Sequence, residues 1–346
     1  LRQSPRNWNN TFNGATTGLG FTALLSDPCV YVSGSGDSFV ALSIYVDDVL
    51  PLGVTASTVG TIRDRLMNRF SMTDLGAASL ILGMEITQHP DSISISQAHY
   101  VRSVLERFGF DQVNPAPAPG VGPPLAVRPP GADALDAAEI VGSLMYLVNT
   151  TRWDISYAVM NLARGMAAPT AAYLTAAKRV LRYLRGTQDR GTTYSRGPLH
   201  LHGFCDSDFA ADAATRRSCT GFLFFLGGNV ISSATALQSL VAQSTTEAEL
   251  TALQSTAKEG IYLLTLLKEL GVPIAQFSML SDSQSALRLG TQAMYSSRTK
   301  HIATKYFLLR SLVDDTTLVV NHVPTHLQLA DLLRKHLPIK TFIRLR

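Results

Sequence analysis

The sequence predicts a mixed α/β (α+β) protein with more than one domain, on the basis of three observations. Residues 196–346 alternate strand and helix patterns, residues 134–195 carry mainly helical periodicity, and short strands precede helices in residues 1–113. A chain of 346 residues is long enough for about two to three domains. Hydrophobic residues make up 46% of the sequence, which excludes a disordered chain.

The charge and cysteine content narrow the class of protein further. The 30 basic and 26 acidic residues give a net charge of +4, which permits nucleic-acid binding without demonstrating it. Cys29, Cys205 and Cys219 are too few for a disulfide framework or a zinc site, so a reducing environment is expected. No apolar run approaches the roughly 18 residues of a membrane span, and we expect no membrane partner.

One segment rich in proline and glycine marks the clearest domain boundary. Residues 114–133 read NPAPAPGVGPPLAVRPPGAD, a composition that disfavours both helix and sheet and is typical of a linker. A softer boundary, with glycine, threonine and proline, lies near residues 186–198. The predicted pieces are 1–113, the linker 114–133, a helical connection 134–195 and a final domain 196–346.

The first piece is predicted to contain a hairpin with two acids at its turn. Residues 39–46 form an apolar strand that meets Asp47 and Asp48 before Val49 and Leu50 continue the pattern. The remaining patterns predict two helices and two strands: helices over 55–70 and 99–108, and strands around 80–87 and 92–96.

The middle piece contains a basic helix over residues 172–185. Leucines and alanine recur at helical spacing, and four cations lie off that stripe: Lys178, Arg179, Arg182 and Arg185. Two interpretations stay open. The cations form an ordinary solvated face, or, because no carboxylate interrupts them, they contact nucleic-acid phosphates.

The last piece predicts a mixed sheet with helices packed on it. The predicted strands are 199–205, 220–226, 230–232, 277–280 and 316–323, and the predicted helices are 244–270 and 327–337. Four acids lie at strand ends or in first helical turns, where distant segments converge: Asp206, Glu249, Asp282 and Asp331. Clustered carboxylates repel one another unless a hard cation neutralises them, and Mg²⁺ suits oxygen ligands.

Each of these acids also has a purely structural interpretation. Asp206 and the nearby Asp208 suit a turn, Asp282 suits the N-cap of a helix, and Asp331 suits a helix N-terminus. Within the helix 244–270, Ser244 and Glu247 have the spacing of a capping box, which assigns Glu247 a structural role. Glu249 lies at the margin of the buried stripe and is the better ligand candidate.

An ordered set of short motifs resembles the ribonuclease H domain of copia-type LTR-retrotransposon polyproteins. In the last piece these motifs are Phe204-Cys-Asp-Ser-Asp208, Thr215-Arg-Arg-Ser218, Ser244-Thr-Thr-Glu-Ala-Glu249, Ser281-Asp-Ser-Gln-Ser285, Ser297-Arg-Thr-Lys-His301 and Leu329-Ala-Asp331. Upstream, Leu1-Arg-Gln-Ser-Pro-Arg-Asn-Trp8, Tyr45-Val-Asp-Asp48, Asp74-Leu-Gly76 and Leu82-Gly-Met-Glu85 resemble the C-terminal palm and thumb of the reverse transcriptase of the same elements. Gly142-Ser-Leu-Met-Tyr146 and Thr151-Arg-Trp-Asp-Ile155 resemble the connection between the two.

This resemblance implies a ribonuclease H-like fold with a mixed five-stranded sheet. The implied activity is hydrolysis of the RNA strand of an RNA–DNA hybrid by two Mg²⁺ ions, with Mn²⁺ as an alternative. Asp206, Glu249, Asp282 and Asp331 match the metal-binding acids of the family. A loop histidine assists related enzymes, but His326 is not in a matching motif. The implied location is a cytoplasmic virus-like particle, or the nucleus, together with the integrase and the rest of the polymerase.

The resemblance also shows where this sequence departs from the family pattern, and these departures affect the expected polymerase and nuclease activities. Asp47 and its neighbour Asp48 match the polymerase metal site, but the other essential aspartate of the family precedes the Leu1–Trp8 motif, so we expect no polymerase activity from this chain alone. Residues 236–239 lack the usual basic stretch, and Arg334 stands where threonine is usual. A nucleic-acid-binding relic without catalytic activity is therefore the alternative to a nuclease.

Overall fold

The computed structural model describes residues 4–120, 134–166, 170–291 and 303–346, and these residues form two compact units. Unit 1 comprises residues 1–78 and 261–275, and unit 2 comprises residues 79–260 and 276–346. The boundary predicted at residue 113 therefore lies inside unit 2. Most of the predicted linker, residues 121–133, lies outside the described residues.

Unit 1 is built on an antiparallel four-stranded sheet of order β1-β2-β3-β4. Its elements are helix α1 (Ser4–Gly18), strands β1 (Thr22–Ala23), β2 (Val30–Ser33), β3 (Val40–Tyr45) and β4 (Asp48–Gly53), and helix α2 (Ala56–Met67). A short 3₁₀ helix, Gly36–Ser38, precedes β3. The predicted hairpin is confirmed, because β3 pairs with β4 and Tyr45 lies opposite Asp48.

The core of unit 1 is largely aromatic. Phe12 is completely buried and stacks on Phe70, and its ring meets the edge of Tyr31. Helix α2 begins after Thr55, whose hydroxyl accepts a hydrogen bond from the Thr58 N–H. This side-chain cap satisfies one of the free N–H groups at the start of the helix and explains where the helix begins.

Unit 2 contains a second antiparallel sheet that joins two distant parts of the sequence. Its strands, in spatial order, are β5 (Leu80–Ile81), β6 (Met84–His89), β7 (Ser92–Ser96) and β8 (Gly191–Ser195). Strand β7 pairs with β8 across about a hundred residues, with Ile93 opposite Tyr194. This pairing is the physical reason why residues 79–113 belong to unit 2.

The four helices of unit 2 that precede β8 bury a common apolar core. They are α3 (Ala98–Arg107), α4 (Ala134–Val148), α5 (Ser156–Arg164) and α6 (Ala171–Arg185), with a 3₁₀ turn at Trp153–Ile155. Leu144, Leu162 and Leu181 are each at most 1% exposed in this core. The helical connection predicted over residues 134–195 is thus observed in α4, α5 and α6, whereas its last five residues form strand β8.

The mixed five-stranded sheet expected for the last domain is confirmed. Its strands are β9 (His202–Ser207), β10 (Cys219–Leu226), β11 (Asn229–Leu237), β12 (Phe277–Ser281) and β13 (Leu318–His322), in the spatial order β11-β10-β9-β12-β13. Strand β9 is antiparallel to β10 and parallel to β12. The helices of this part are α7 (Thr245–Glu269), α8 (Gln284–Thr291), α9 (Ala303–Asp314) and α10 (Ile339–Leu345).

The helix predicted over residues 327–337 is wrong. The chain instead forms two 3₁₀ helices, Thr325–Leu327 and Leu329–Leu333, and α10 begins only after Pro338. The Gln328 side chain accepts a hydrogen bond from the Ala330 N–H, which starts a new turn there. Proline disfavours the α conformation in the residue before it, so Pro338 separates the two segments.

No helix among the described residues is both long and apolar enough to cross a bilayer.

Candidate active site

Two of the predicted acids lie at the same edge of the five-stranded sheet. Asp206 is near the C-terminal end of β9, and Asp282 directly follows β12. These strands are parallel neighbours, with Leu280 opposite Phe204, so continuing the register brings Asp282 level with Asp206. The buried thiol of Cys205 donates to the Leu280 carbonyl at 3.7 Å between the same strands.

Glu249 reaches this edge from the second turn of helix α7. Its carboxyl group interacts with that of Asp206, while its Oε2 is buried and has no hydrogen-bond partner among the described residues. The side-chain amide of Gln238 fixes the helix to the sheet, because it donates to the Ala248 carbonyl at 2.9 Å and to the Thr220 hydroxyl at 3.0 Å. Gln238 therefore holds the turn of α7 that carries Glu249 against the sheet, and the role of Glu249 as a metal ligand stays a prediction.

Asp331 comes to the same place on the 3₁₀ helix Leu329–Leu333. Gln328 is fully buried, and its amide donates to the Cys205 carbonyl at 3.0 Å, next to Asp206. Gly221 of β10 permits the close approach, because a Cβ there would lie 2.8 Å from the Leu333 Cβ. Asp331 is thus within hydrogen-bonding reach of Asp206.

Two basic side chains enter this cluster of acids. Arg334 bonds to Asp206 through Nε and lies 2.7 Å from Asp331 Oδ1 through Nη2, so one guanidinium bridges two carboxylates. Lys335 Nζ lies 2.6 Å from the same Asp331 oxygen. The Arg334 side chain is 15% exposed, and those of Asp206 and Asp331 are 1% and 6% exposed. We call Arg334 and Lys335 the internal cations.

Burial dominates the electrostatics of the cluster. It raises the pKa of Asp206 well above its usual range, and this rise is opposed by Arg334 and increased by Glu249 and Asp331. Burial also raises the pKa of Glu249, against the opposing effects of Asp206 and Arg334. Burial by itself lowers the pKa of Arg334, but the carboxylates of Asp206 and Asp331 outweigh it and the pKa is raised.

The chemistry of the donors suits Mg²⁺, and the free, buried Oε2 of Glu249 is an oxygen ligand without another partner. In the observed arrangement, however, the internal cations hold oxygens of Asp206 and Asp331. In addition, no three His, Cys, Asp or Glu side chains of the described residues are disposed as a metal site. The oxygen ligands of these acids are therefore chemically suited to a hard cation, but the internal cations already contact some of them.

The structural interpretations hold for neighbouring acids and in part for the cluster itself, because Asp206 accepts the Ser207 N–H at 2.8 Å and Asp331 lies in the first turn of the 3₁₀ helix Leu329–Leu333. The carboxylate of Asp208 accepts the Cys219 N–H, and Ser283 instead of Asp282 accepts an N–H at the start of α8. Glu247 takes part in the N-terminal cap of α7, but it accepts the N–H of Gln243 rather than that of Ser244 as predicted. The Ser244 hydroxyl accepts the Glu247 N–H, as a capping box requires.

The polymerase-type acids lie in unit 1. Asp47 is exposed in the turn between β3 and β4, as the sequence predicted, and Asp48 is exposed as the first residue of β4. Val46, at the same turn, has a φ of 57° and its carbonyl accepts the indole N–H of Trp8. The role of Asp47 and Asp48 as metal ligands stays a prediction.

The four predicted basic residues lie together on helix α6, but they differ in surroundings. Lys178 and Arg182 are exposed, whereas Arg179 and Arg185 are half-buried. Arg182 donates to the Asn114 carbonyl at 2.8 Å and Arg185 donates to the Asp111 carbonyl. Lys178, Arg179 and Arg182 also line a cavity of about 500 Å³ with His336. Their contact with nucleic acid stays a prediction.

Sequence reasoning missed the residues that hold the acids in place. Gln328 and Gln238 are buried amides whose partners lie on other elements, and no local pattern identifies them. The sequence marks Arg334 only as a departure from the family pattern and contains no signal for its contact with Asp206. The exposed His326 donates no described side-chain bond to these acids, and its carbonyl accepts from Arg344.

Comparisons with known proteins agree with the motifs. Residues 1–121 match the family model described as reverse transcriptase (RNA-dependent DNA polymerase). The chain is 38% identical to the retrovirus-related Pol polyprotein from transposon TNT 1-94 of Nicotiana tabacum, over 99% of this chain and 27% of that protein. It is 36% identical to the corresponding polyprotein from transposon RE1 of Arabidopsis thaliana, over 99% of this chain and 24% of that protein.

A shorter relative is the uncharacterized mitochondrial protein AtMg00810 of Arabidopsis thaliana, 39% identical over 63% of this chain and 92% of that protein. The chain thus spans about a quarter of the length of the two transposon polyproteins. Among solved structures, LC11-RNase H1, isolated from compost, matches with a TM-score of 0.32 and 17% identity over 40% of this chain and 94% of that chain. The foamy viral protease-reverse transcriptase, in complex with dsDNA, matches with a TM-score of 0.46 and 14% identity over 82% of this chain and 55% of that chain.

Proposed function

Because the chain belongs to the copia-type retrotransposon Pol polyproteins, we propose that residues 196–346 act as a ribonuclease H with Mg²⁺ as its cofactor. The substrate would be the RNA strand of an RNA–DNA hybrid. In an active element this reaction would take place in a cytoplasmic virus-like particle or in the nucleus, beside the remaining polymerase segments and the integrase.

The observation that carries this proposal is the convergence of acids from four separate segments. Arg334 contacts both Asp206 and Asp331, Glu249 and Asp206 affect each other's pKa, and the register of β9 and β12 brings Asp282 to the same sheet edge. Burying several carboxylates together is unfavourable, and a fold maintains such a group where a cation or a reaction requires it. Local hydrogen bonds account for Asp208 and Glu247, whereas the four converging acids come from segments that lie far apart in the sequence.

These four side chains would hold the metal through their oxygens. When bound, Mg²⁺ would supply an activated water and stabilise the departing 3′ oxygen. The chain itself contributes rigidity, since Gln328 and Gln238 fix Asp331 and Glu249 against the sheet. Helix α6 would contribute phosphate contacts through the exposed Lys178 and Arg182, which recognise the backbone of the hybrid and not its sequence.

A second candidate function is binding of nucleic acid without cleavage. The internal cations favour it, because they neutralise two of the four acids in the observed arrangement. Asp47 and Asp48 alone are not expected to support DNA synthesis, and neither candidate function requires it.

The test is incubation of the purified chain with labelled RNA–DNA hybrid over a range of Mg²⁺ concentrations. We expect cleavage of the RNA strand only, and a loss of at least about 100-fold in Asp282→Asn, which removes one ligand at the partly exposed rim of the cluster. Double-stranded DNA of the same sequence is the substrate control. Equal cleavage by Asp282→Asn would identify a contaminant, and binding without cleavage at any Mg²⁺ concentration would favour the second candidate.

A further inference from the structure

Arg334 and Lys335 are the cations that contact the buried acidic cluster of unit 2 in the described part of the chain. Four acids converge there, and the described contacts place both cations on carboxylate oxygens that face the cluster. Arg334 makes two contacts from two different nitrogens, one to a strand residue and one to the 3₁₀ helix. The N–H donors of a guanidinium lie in one plane and point in different directions. One arginine can therefore bridge two carboxylates, as a metal ion does.

The Asp206–Arg334 contact is almost completely removed from solvent. Asp206 is 1% exposed and Arg334 is 15% exposed, so water screens the pair only weakly. Asp331 Oδ1, which both cations approach, is buried and makes no hydrogen bond of good geometry despite the two short contacts. The interaction of Asp331 Oδ1 with Arg334 and Lys335 is therefore mainly ionic. A divalent cation that binds this oxygen more strongly can replace them.

We propose that Arg334 is a resident cation that competes with divalent metal for Asp206 and Asp331. A divalent ion bound by both carboxylates would lie beside the guanidinium, and like charges in a site of low solvent exposure repel strongly. Metal binding then requires Arg334 to move away from Asp206. The chain consequently binds Mg²⁺ or Mn²⁺ weakly, and the identity of residue 334 sets the metal concentration at which the site fills.

This inference rests on the proposed function only for the choice of a divalent metal ion as the ligand. It concerns equilibrium metal binding and does not require cleavage of a nucleic acid. It also explains why the donor set suits Mg²⁺ although no metal-binding group of three is formed among the described residues.

The test is the binding of Mn²⁺ to the full chain, measured from the free Mn²⁺ signal by electron paramagnetic resonance, with Mg²⁺ as competitor. We expect Arg334→Gln to bind Mn²⁺ at least tenfold more tightly than the unmodified chain. Arg334→Lys keeps the positive charge and is expected to remain within about threefold of the unmodified chain. Arg196→Gln makes the same change of charge at an 82% exposed residue of unit 2 and should not alter the affinity.

Circular dichroism identifies any variant that fails to fold. Lys335→Gln then decides the question, because the Lys335 side chain is 38% exposed and its removal takes away one of the two internal cations. We expect a gain of about threefold or more in Mn²⁺ affinity. If Arg334→Gln is folded, an Mn²⁺ affinity equal to that of the unmodified chain would overturn the proposal. If Arg334→Gln is unfolded, an equal Mn²⁺ affinity of Lys335→Gln and the unmodified chain would overturn it.

Hybrid cleavage measured on the same samples separates this inference from the proposed function. Tighter Mn²⁺ binding by Arg334→Gln without cleavage by any variant supports the competition and contradicts the nuclease. Cleavage together with equal Mn²⁺ affinities contradicts the competition and leaves the nuclease supported.

Discussion

Arg334 is bonded to Asp206, which precedes it by 128 residues, and both side chains are largely withdrawn from solvent. The same guanidinium reaches Asp331 at 2.7 Å, so it joins the central strand of the sheet to the 3₁₀ helix beside it. The edge of the sheet that resembles a metal site is therefore held together by an arginine. This relationship gives the acidic cluster a structural role that exists without any ion.

A second buried ion pair, between Arg152 and Asp154, is expected to support unit 2. Arg152 donates to both Asp154 oxygens at 2.9 and 3.0 Å, and the Tyr183 hydroxyl also donates to Asp154. Burial raises the pKa of Asp154, but the Arg152 guanidinium outweighs burial and the pKa lies below its usual range. Asp154→Asn should lower the free energy of unfolding by about 3–5 kcal/mol, because it leaves a buried arginine without its counter-charge.

Urea unfolding at neutral pH measures this effect. The control is Asp91→Asn, which removes the partner of Arg196 in a pair whose side chains are both more than 80% exposed. That change should cost less than about 1 kcal/mol, as exposed pairs do. Similar losses in the two variants would contradict a special role for the Arg152–Asp154 pair.

Gln328 is expected to position Asp331 through its two hydrogen bonds. Gln328→Ala would leave the buried Cys205 carbonyl without its amide donor and remove the acceptor for the Ala330 N–H. We expect a loss of about 1–3 kcal/mol in the free energy of unfolding. Thermal unfolding measures it, and Gln284→Ala, at an exposed residue of α8, should change stability by less than about 0.5 kcal/mol. No difference between the two variants would show that the Gln328 amide is dispensable.

The origins of these residues show how far the sequence predicts the site. The parallel strands that end near Asp206 and Asp282 follow from apolar runs, and the helical face of Glu249 follows from periodicity. Gln328 and Arg334 could not be predicted in the same way, because their partners lie on β9, more than 120 residues earlier. Such contacts depend on the tertiary arrangement, and neither propensity nor spacing along the chain records them.

The errors in the fold prediction have the same origin. The helix predicted over residues 327–337 has suitable composition, but the Gln328 side chain and Pro338 break it into shorter turns. The boundary at residue 113 was drawn from local composition, whereas the pairing of β7 with β8 depends on residues a hundred positions apart. Local signals therefore predicted the elements of the described chain better than their grouping.

His336 is expected to make the stability of unit 2 depend on pH. Burial and, to a smaller extent, the nearby Arg179 together lower its pKa to about 4, and its ring packs edge-on against the Tyr157 ring with 4.9 Å between the ring centroids. The unfolded chain, with a histidine pKa near 6.5, binds more protons than the folded chain between pH 6.5 and about 4. Stability should therefore fall as the pH decreases through this window, by up to about 2–3 kcal/mol.

Urea unfolding of the unmodified chain and of His336→Gln at pH 7 and pH 5 measures this dependence. The variant lacks the titrating group, so its loss of stability on acidification should be smaller than that of the unmodified chain. His326→Gln, at an exposed histidine of the same unit, should behave like the unmodified chain. If His336→Gln and the unmodified chain lose the same stability between the two pH values, other groups account for the effect.

Helix α6 is expected to contribute to nucleic-acid affinity through its two exposed cations. Lys178 and Arg182 differ, since Arg182 also donates to the Asn114 carbonyl and Lys178 has no described backbone bond to another segment. If each contacts a phosphate, each releases about one counterion on binding. Lys178→Gln should weaken binding to an RNA–DNA hybrid by a few-fold at low salt and reduce the slope of log K against log salt by about 0.7–0.9.

Fluorescence anisotropy with a labelled hybrid in EDTA, at several salt concentrations, measures this slope without metal-dependent cleavage. Arg196→Gln removes the same charge from a residue outside α6 and should leave the slope unchanged. Because Arg182 is also bonded to a carbonyl, Arg182→Gln is expected to reduce both the slope and the stability of unit 2. If the slope is unchanged in both Lys178→Gln and Arg182→Gln, the cations of α6 do not contact phosphates. They then form an ordinary solvated helix face, which is the other interpretation of this pattern.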